Sequence, residues 1–260
     1  MANYKLVIQY DGTRYRGWQG QNDTDLTIQG KIEAVLSAMA GYPVEVTGSG
    51  RTDVGVHARG QVANFHLKEN TLKQNVLGEK PIKESMSPEE ILSYLNQYLP
   101  EDIGVLSVEE VDERFHSRYH AVEKTYLYRI HTGKVPEIFG RKYVYNYQAS
   151  LSAEPMRSGA AALIGTHDFK SFCGNRKMKK STVRTIFNIR IEELPGEICI
   201  YYTGDGFLQN MVRILTGTLI EIGDGRRPPE EMTKILEARD REAAGFTAPA
   251  CGLTLIEVKY

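Results

Sequence analysis

One carboxylate in this chain stands in an unusual place for a charge. Residues 48–67 read Gly-Ser-Gly-Arg-Thr-Asp-Val-Gly-Val-His-Ala-Arg-Gly-Gln-Val-Ala-Asn-Phe-His-Leu, so Asp53 lies between a cation, Arg51, and a glycine, Gly55. Gly48 and Gly50 upstream let the backbone turn sharply. An isolated aspartate two residues before a glycine most often closes a turn by hydrogen-bonding its own backbone. This one is not isolated. The run leaves an apolar segment with Val44 and Val46, crosses the turn, and returns through residues 61–67, where Val62, Ala63, Phe65 and Leu67 predict a partly buried strand. A carboxylate on a loop held at both ends by sheet is placed to act as a nucleophile or base. The opening Gly-Ser-Gly also begins like a phosphate-binding loop, but the third glycine falls at Gly55 and no Gly-Lys-Ser/Thr ending exists anywhere in the chain. Nucleotide binding is therefore disfavoured.

The elements that must position this loop follow from pattern. Residues 4–10 alternate and stop at Asp11-Gly12, which predicts a strand ending in a turn. Thr27 is a cap for a helix whose Ile28, Ile32, Val35, Leu36 and Met39 recur at helical spacing. Residues 68–87 are polar and lysine-rich, as in a surface insertion; Ser87-Pro88-Glu89-Glu90 then opens a helix running to Pro100, and residues 103–111 form another strand. In the second half, strands are predicted at 125–130, 143–147, 183–194, 197–203 and 253–258, with helices at 151–164, 207–221 and 229–239. The second half repeats the element order of the first without any residue-level repeat. The expectation is an α+β fold of two related α/β-sandwich domains sharing a mainly antiparallel sheet, residues 1–112 carrying the Asp53 loop and residues 113–260 completing the cleft.

Composition bounds the function. With 260 residues, 41% hydrophobic and 25% charged, the chain has the makeup of a soluble globular protein large enough for a full core. Three cysteines, Cys173, Cys199 and Cys251, form no Cys-x-x-Cys pair, which argues against a disulfide framework and a structural zinc site. His116 and His120 are four apart, but their charged segment offers no third ligand, so no metal is expected. Without a signal-peptide pattern or a membrane-length apolar run, a cytoplasmic address and no membrane partner are expected. A net charge of −1 does not advertise a nucleic-acid binder unless charge is segregated. Acidic clusters at residues 109–113, 192–197 and 230–231 alternate with basic ones at Arg14 and Arg16, at 141–142, 176–180 and 226–227, so one positive face remains open to such a protein.

The run Gly50-Arg51-Thr52-Asp53-Val54-Gly55-Val56-His57-Ala58 resembles the signature of the bacterial tRNA pseudouridine synthase A family, with one conservative difference at Val54. Residues 11–19, reading Asp-Gly-x-x-Tyr-x-Gly-Trp-Gln, are similar to a second signature, as are residues 115–118 with 124–128, residues 165–172, residues 206–213 and residues 248–253. The resemblance implies a pseudouridine synthase fold with Asp53 as the catalytic nucleophile. It implies that Tyr126 stacks on the target uracil, that Arg213 pairs with the catalytic aspartate, and that Arg51 fills the gap left by a flipped nucleotide. Ser117 and His120 depart from the usual family residues. Arg14, Arg16, Trp18 and Arg59 are expected RNA contacts, because cations interleaved with an aromatic suit a phosphate backbone and a base. The implied activity is isomerisation of uridine to pseudouridine at positions 38 to 40 of the tRNA anticodon arm, without cofactor, by a homodimer. The alternatives are a paralogue acting on another RNA such as ribosomal RNA, a non-catalytic RNA-binding protein, and a metabolic enzyme with an aspartate acid/base.

Overall fold

A computed structural model describes residues 1–21, 23–68 and 86–260. The expected surface insertion falls, at residues 69–85, outside the described residues. Two compact units emerge: Met1–Ala121 with Tyr260, and Val122–Lys259. Both are α+β with mainly antiparallel sheets, and among the described residues no helix is long and apolar enough to cross a membrane.

In the first unit the order is β1 (Ala2–Tyr10), α1 (Ile28–Ala40), β2 (Val46–Gly48), β3 (His57–Leu67), α2 (Pro88–Tyr98) and β4 (Ile103–Val111). β1 lies between β3 and β4, antiparallel to both, and β2 pairs with the outer part of β3. Both helices start where the capping residues predict. The Thr27 side chain accepts from Gly30 N, and Ser87 forms a reciprocal capping box with Glu90 behind Pro88 at the first helical position. Ile28, Ile32, Leu36, Ile91 and Leu95 carry the buried stripes, whereas Val35 is only half-buried.

The second unit runs β5 (Glu123–His131), β6 (Tyr145–Asn146), α3 (Ala153–Ala161), β7 (Gly165–Asp168), β8 (Val183–Leu194), β9 (Glu197–Gly204), α4 (Met211–Gly223), α5 (Glu231–Ala238) and β10 (Leu253–Lys259). β5 lies between β10 and β9, antiparallel to both; β8 and β7 extend the sheet beyond β9. The two units thus share one plan, with the last strand beside the first and the first beside the strand that precedes the helical crossover. That arrangement is the relatedness inferred from element order.

Two of the boundaries that differ from pattern do so for identifiable reasons. The helical apolar spacing reads through Phe207, but Asn210 is left-handed at φ 58°, so α4 begins at Met211 and Phe207 lies outside it. The helix predicted to Ile164 ends at Ala161, after which Leu163 and Ile164 bond back three residues, tightening the chain toward Gly165. β7, a polar Gly-Thr-His-Asp strand, carried no alternating signal because it is short and pairs on one side with β8.

Candidate active site

The loop carrying Asp53 is built by contacts from distant parts of the first unit. At its entry, Ser49 N donates to Val62 O over 2.7 Å, and the Ser49 hydroxyl donates to Gln61 Oε1 over 2.7 Å. Gln61 Nε2 in turn donates to Gly50 O over 3.1 Å, so one buried amide spans the hairpin between β2 and β3. In the middle, Thr52 is buried. Its hydroxyl lies 2.8 Å from the Tyr10 hydroxyl and its carbonyl accepts from Trp18 N over 3.1 Å. Burial pushes the Tyr10 phenol up to about 12, so it stays a neutral hydrogen-bonding group at any ordinary pH. Beyond Thr52, Val56 N donates to Asp53 O over 3.1 Å and closes the turn. Asp53 is half-buried between exposed Arg51 and exposed Val54. The flanking residues are tied down, and the carboxylate is presented from a fixed base.

Gly17 and Trp18 pack against this loop. Gly17 takes φ +91°, and a Cβ there would lie 2.8 Å from Thr52 O, so only glycine admits the approach that lets Trp18 N reach that carbonyl. The Trp18 indole is 2% exposed, set on Gly48 at a distance where any Cβ on Gly48 would clash, with the Tyr10 ring 6.1 Å away. Trp18, an expected RNA contact, has most of its surface kept from solvent and lies on the lining of the groove described below. Its indole is buried in the floor under the Asp53 loop, because the glycine beneath leaves a ring-sized space.

The other expected RNA contacts are placed differently from one another. Arg14 is held by Asp102, Nε to Oδ2 at 2.5 Å and Nη2 to Oδ1 at 3.1 Å, beside the Tyr15 hydroxyl, so its charge is already matched within the unit. Arg16 is exposed while its backbone is fixed by Leu26 O. Arg59 is exposed where the β1–β3 register shifts, two residues of β3 standing against one of β1; such a bulge re-aims side chains beside a loop. Arg51 Nε donates to Gln19 Oε1 over 2.9 Å. Both residues line a polar groove of 1010 Å³, walled by residues 18–21 and 23–25 and α1 and floored by β2, with Arg118 also on its lining. Other basic clusters are partly neutralised: Arg176 pairs with Glu242, Arg226 with Asp224, and Arg227 with Glu221 and Glu231, whereas Lys177, Lys179 and Lys180 are exposed. His116 and His120 engage a local turn, each Nδ1 accepting a backbone N–H.

In the second unit, Tyr126 lies on β5 opposite Leu255 of β10 and Tyr202 of β9. Its ring meets that of Phe207 with centroids 5.3 Å apart and planes nearly perpendicular, a T-shaped contact that fixes the plane of the tyrosine. Arg213 is half-buried on α4, whose neighbouring residues are almost all buried. Its Nε donates to Ala248 O over 2.7 Å and its Nη1 to Asn210 Oδ1 over 2.9 Å, while its own carbonyl accepts from Ala248 N. Ala248 therefore grips both the backbone and the side chain of one arginine, and the left-handed Asn210 supplies the third contact. Neither Ala248 nor Asn210 stood out as a functional residue in the sequence. They belong to recognisable stretches, but nothing in residue type foretells a contact across 35 positions.

The model of a family described as tRNA pseudouridine synthase matches residues 6–120 and 160–260. The chain is 47% identical over its full 260 residues, and over the full length of the relative, to "tRNA pseudouridine synthase A" of Bacillus sp. (strain KSM-64). It is 44% identical, again over the whole of both chains, to "tRNA pseudouridine synthase A 2" of Bacillus cereus (strain ZK / E33L) and to "tRNA pseudouridine synthase A 1" of Clostridium tetani (strain Massachusetts / E88). A solved Cbf5-Nop10-Gar1 complex aligns at a TM-score of 0.40 and 10% identity, over 97% of this chain and 48% of that one. The matched ranges contain the Asp53 loop, the loop that buries Trp18 and the helix that carries Arg213, and with full-length identity of this order the chain belongs to the tRNA pseudouridine synthase family.

Proposed function

We propose that this protein isomerises uridine to pseudouridine in tRNA, at positions 38 to 40 of the anticodon arm. The observation that carries the reading is the Asp53 loop: a single carboxylate on a turn pinned through Ser49, Thr52 and Val56, in a chain 47% identical over its full length to a tRNA pseudouridine synthase A. The reaction balances without a co-reactant. The bond from uracil N1 to C1′ breaks, the ring turns, and a bond from C5 to C1′ forms; C5 gives up its hydrogen and N1 gains one. A fixed carboxylate serves as the nucleophile or base for that exchange, and the remaining work is to hold the uracil still and keep water away.

In this reading Asp53 is the catalytic residue. Family membership supports Tyr126 as the ring that replaces the stacking lost by a flipped uracil, Arg213 as the partner that keeps the carboxylate ionised, and Arg51 as the side chain that occupies the vacated place in the RNA stack. Arg16 and Arg59 are proposed phosphate contacts, with Arg14 contributing only if it exchanges Asp102 for RNA. A homodimer in the cytoplasm, with one tRNA lying across both subunits, completes the proposal, and sedimentation of the purified protein tests the dimer.

The deciding experiment is tritium release from tRNA labelled at uracil C5, with pseudouridine mapping of cellular RNA in the presence and absence of the protein. Release from tRNA with loss of pseudouridine at positions 38 to 40 supports the proposal. Modification confined to ribosomal RNA refutes the tRNA assignment, and RNA binding without release refutes the enzyme.

A further inference from the structure

Arg51 is exposed and long, and a side chain of that kind samples many rotamers in water unless something holds it. In the structure Gln19 holds it, accepting from Nε through Oε1 at 2.9 Å. Gln19 is itself set between two anchored neighbours. Trp18 N donates to Thr52 O over 3.1 Å, Trp18 O accepts from Gln29 N over 3.0 Å, and Gly20 N donates to Gln29 Oε1 over 3.1 Å. Gln29 is fixed in turn, its Nε2 donating to Val46 O over 3.1 Å and to Glu33 Oε1 over 2.8 Å, while the same Glu33 oxygen accepts from Val46 N over 2.9 Å. A continuous set of hydrogen bonds therefore runs from α1 and β2, through residues 18–20, to the guanidinium of Arg51.

We propose that Gln19 is a positioning residue for Arg51, presetting the guanidinium for its place in the RNA stack. This rests on the role proposed above for Arg51. A neutral amide suits the task, because it accepts from Nε without cancelling the charge that RNA must meet and without locking the arginine into an ion pair. The bond to Nε also occupies the edge nearest the protein chain, so it sets the direction of the guanidinium plane. Gln29 and Glu33 act one step further back, by fixing the backbone from which Gln19 reaches.

The test is a double-mutant cycle on tritium release under single turnover, using Gln19→Ala, Arg51→Ala and the pair. Gln19→Ala should slow release about tenfold in the wild-type background and change it less than twofold in the Arg51→Ala background. Gln19→Glu keeps an acceptor for Nε but adds the ion pair that cancels the arginine's charge, so it should recover less than half of the lost rate, with unfolding midpoints unchanged throughout. Equal effects of Gln19→Ala in both backgrounds would overturn the inference, since a residue that merely supports the loop or touches RNA itself acts whether or not Arg51 is present. Full recovery of the rate by Gln19→Glu would also overturn it, since a charged acceptor would then serve as well as the neutral amide. A wild-type protein that releases no tritium refutes the pseudouridine synthase reading instead, which separates the two failures.

Discussion

Replacing Asp53 by asparagine tests its assignment as the catalytic carboxylate, because it removes the charge and keeps the shape of the side chain. The two side chains have the same shape, and the contacts that pin the loop run through other groups: Ser49 and Gly50 to Gln61 and Val62, the Thr52 hydroxyl to Tyr10, the Thr52 carbonyl to Trp18, and the Asp53 carbonyl to Val56 N. Each of these survives the substitution. Half-buried Asp53 should therefore change unfolding stability by about 1 kcal/mol or less. Turnover is another matter. No second carboxylate occurs between Gly48 and Leu67, and the nearby Asp11 already accepts from Thr13 N at 2.9 Å with the Thr13 hydroxyl and His57 beside it. With no second carboxylate on the loop itself, the rate should fall by at least ~10³-fold, which corresponds to about 4 kcal/mol of transition-state stabilisation. The assay is tritium release beside an RNA-binding titration and a urea melt of the same variant. Near-wild-type release would make Asp53 a turn residue and refute the reasoning, and joint loss of binding and release would make it a structural one.

Thr52→Val leaves the buried Tyr10 hydroxyl without its Thr52 partner and should cost about 1–3 kcal/mol in urea unfolding, with the Tyr10→Phe, Thr52→Val pair costing less than the sum of the single changes. Gly17→Ala forces a left-handed alanine and sets its Cβ 2.8 Å from Thr52 O, so it should lose more than the ~1–2 kcal/mol of backbone strain alone and slow release as the Asp53 loop shifts; an unchanged melt would refute the packing described. Tyr126→Phe retains the edge contact with Phe207 and should keep most activity, whereas Tyr126→Ala should lose ~1–3 kcal/mol of base stabilisation, and equal damage from both would assign the chemistry to the hydroxyl.

Features controlled by near neighbours were legible in the amino-acid sequence. Thr27 and Ser87 marked helix starts because a cap satisfies amide groups within three residues of itself, and the apolar Val62, Ala63, Phe65 and Leu67 marked the return strand, which is buried on both faces over residues 60–65. Asp53 stood out for the same reason, its glycines and neighbouring arginine being local. The tertiary structure decided what depends on residues far apart in the chain. Trp18 looked like an exposed aromatic in a polar loop, and only the apposition of Gly48, thirty residues on, made it part of the core. Arg14 reads as a free cation in the sequence, and only the fold brings Asp102, 88 residues on, beside it. Asn210 ended a helical pattern that its apolar neighbours continue, since the left-handed backbone there is settled by packing and not by hydrophobic spacing. The Gln19, Gln29 and Glu33 bonds, and the grip of Ala248 on Arg213, join ordinary polar residues whose types announce nothing. A hydrogen bond is specific to a few tenths of an ångström, and that precision comes only once the strands and helices carrying its two ends have packed.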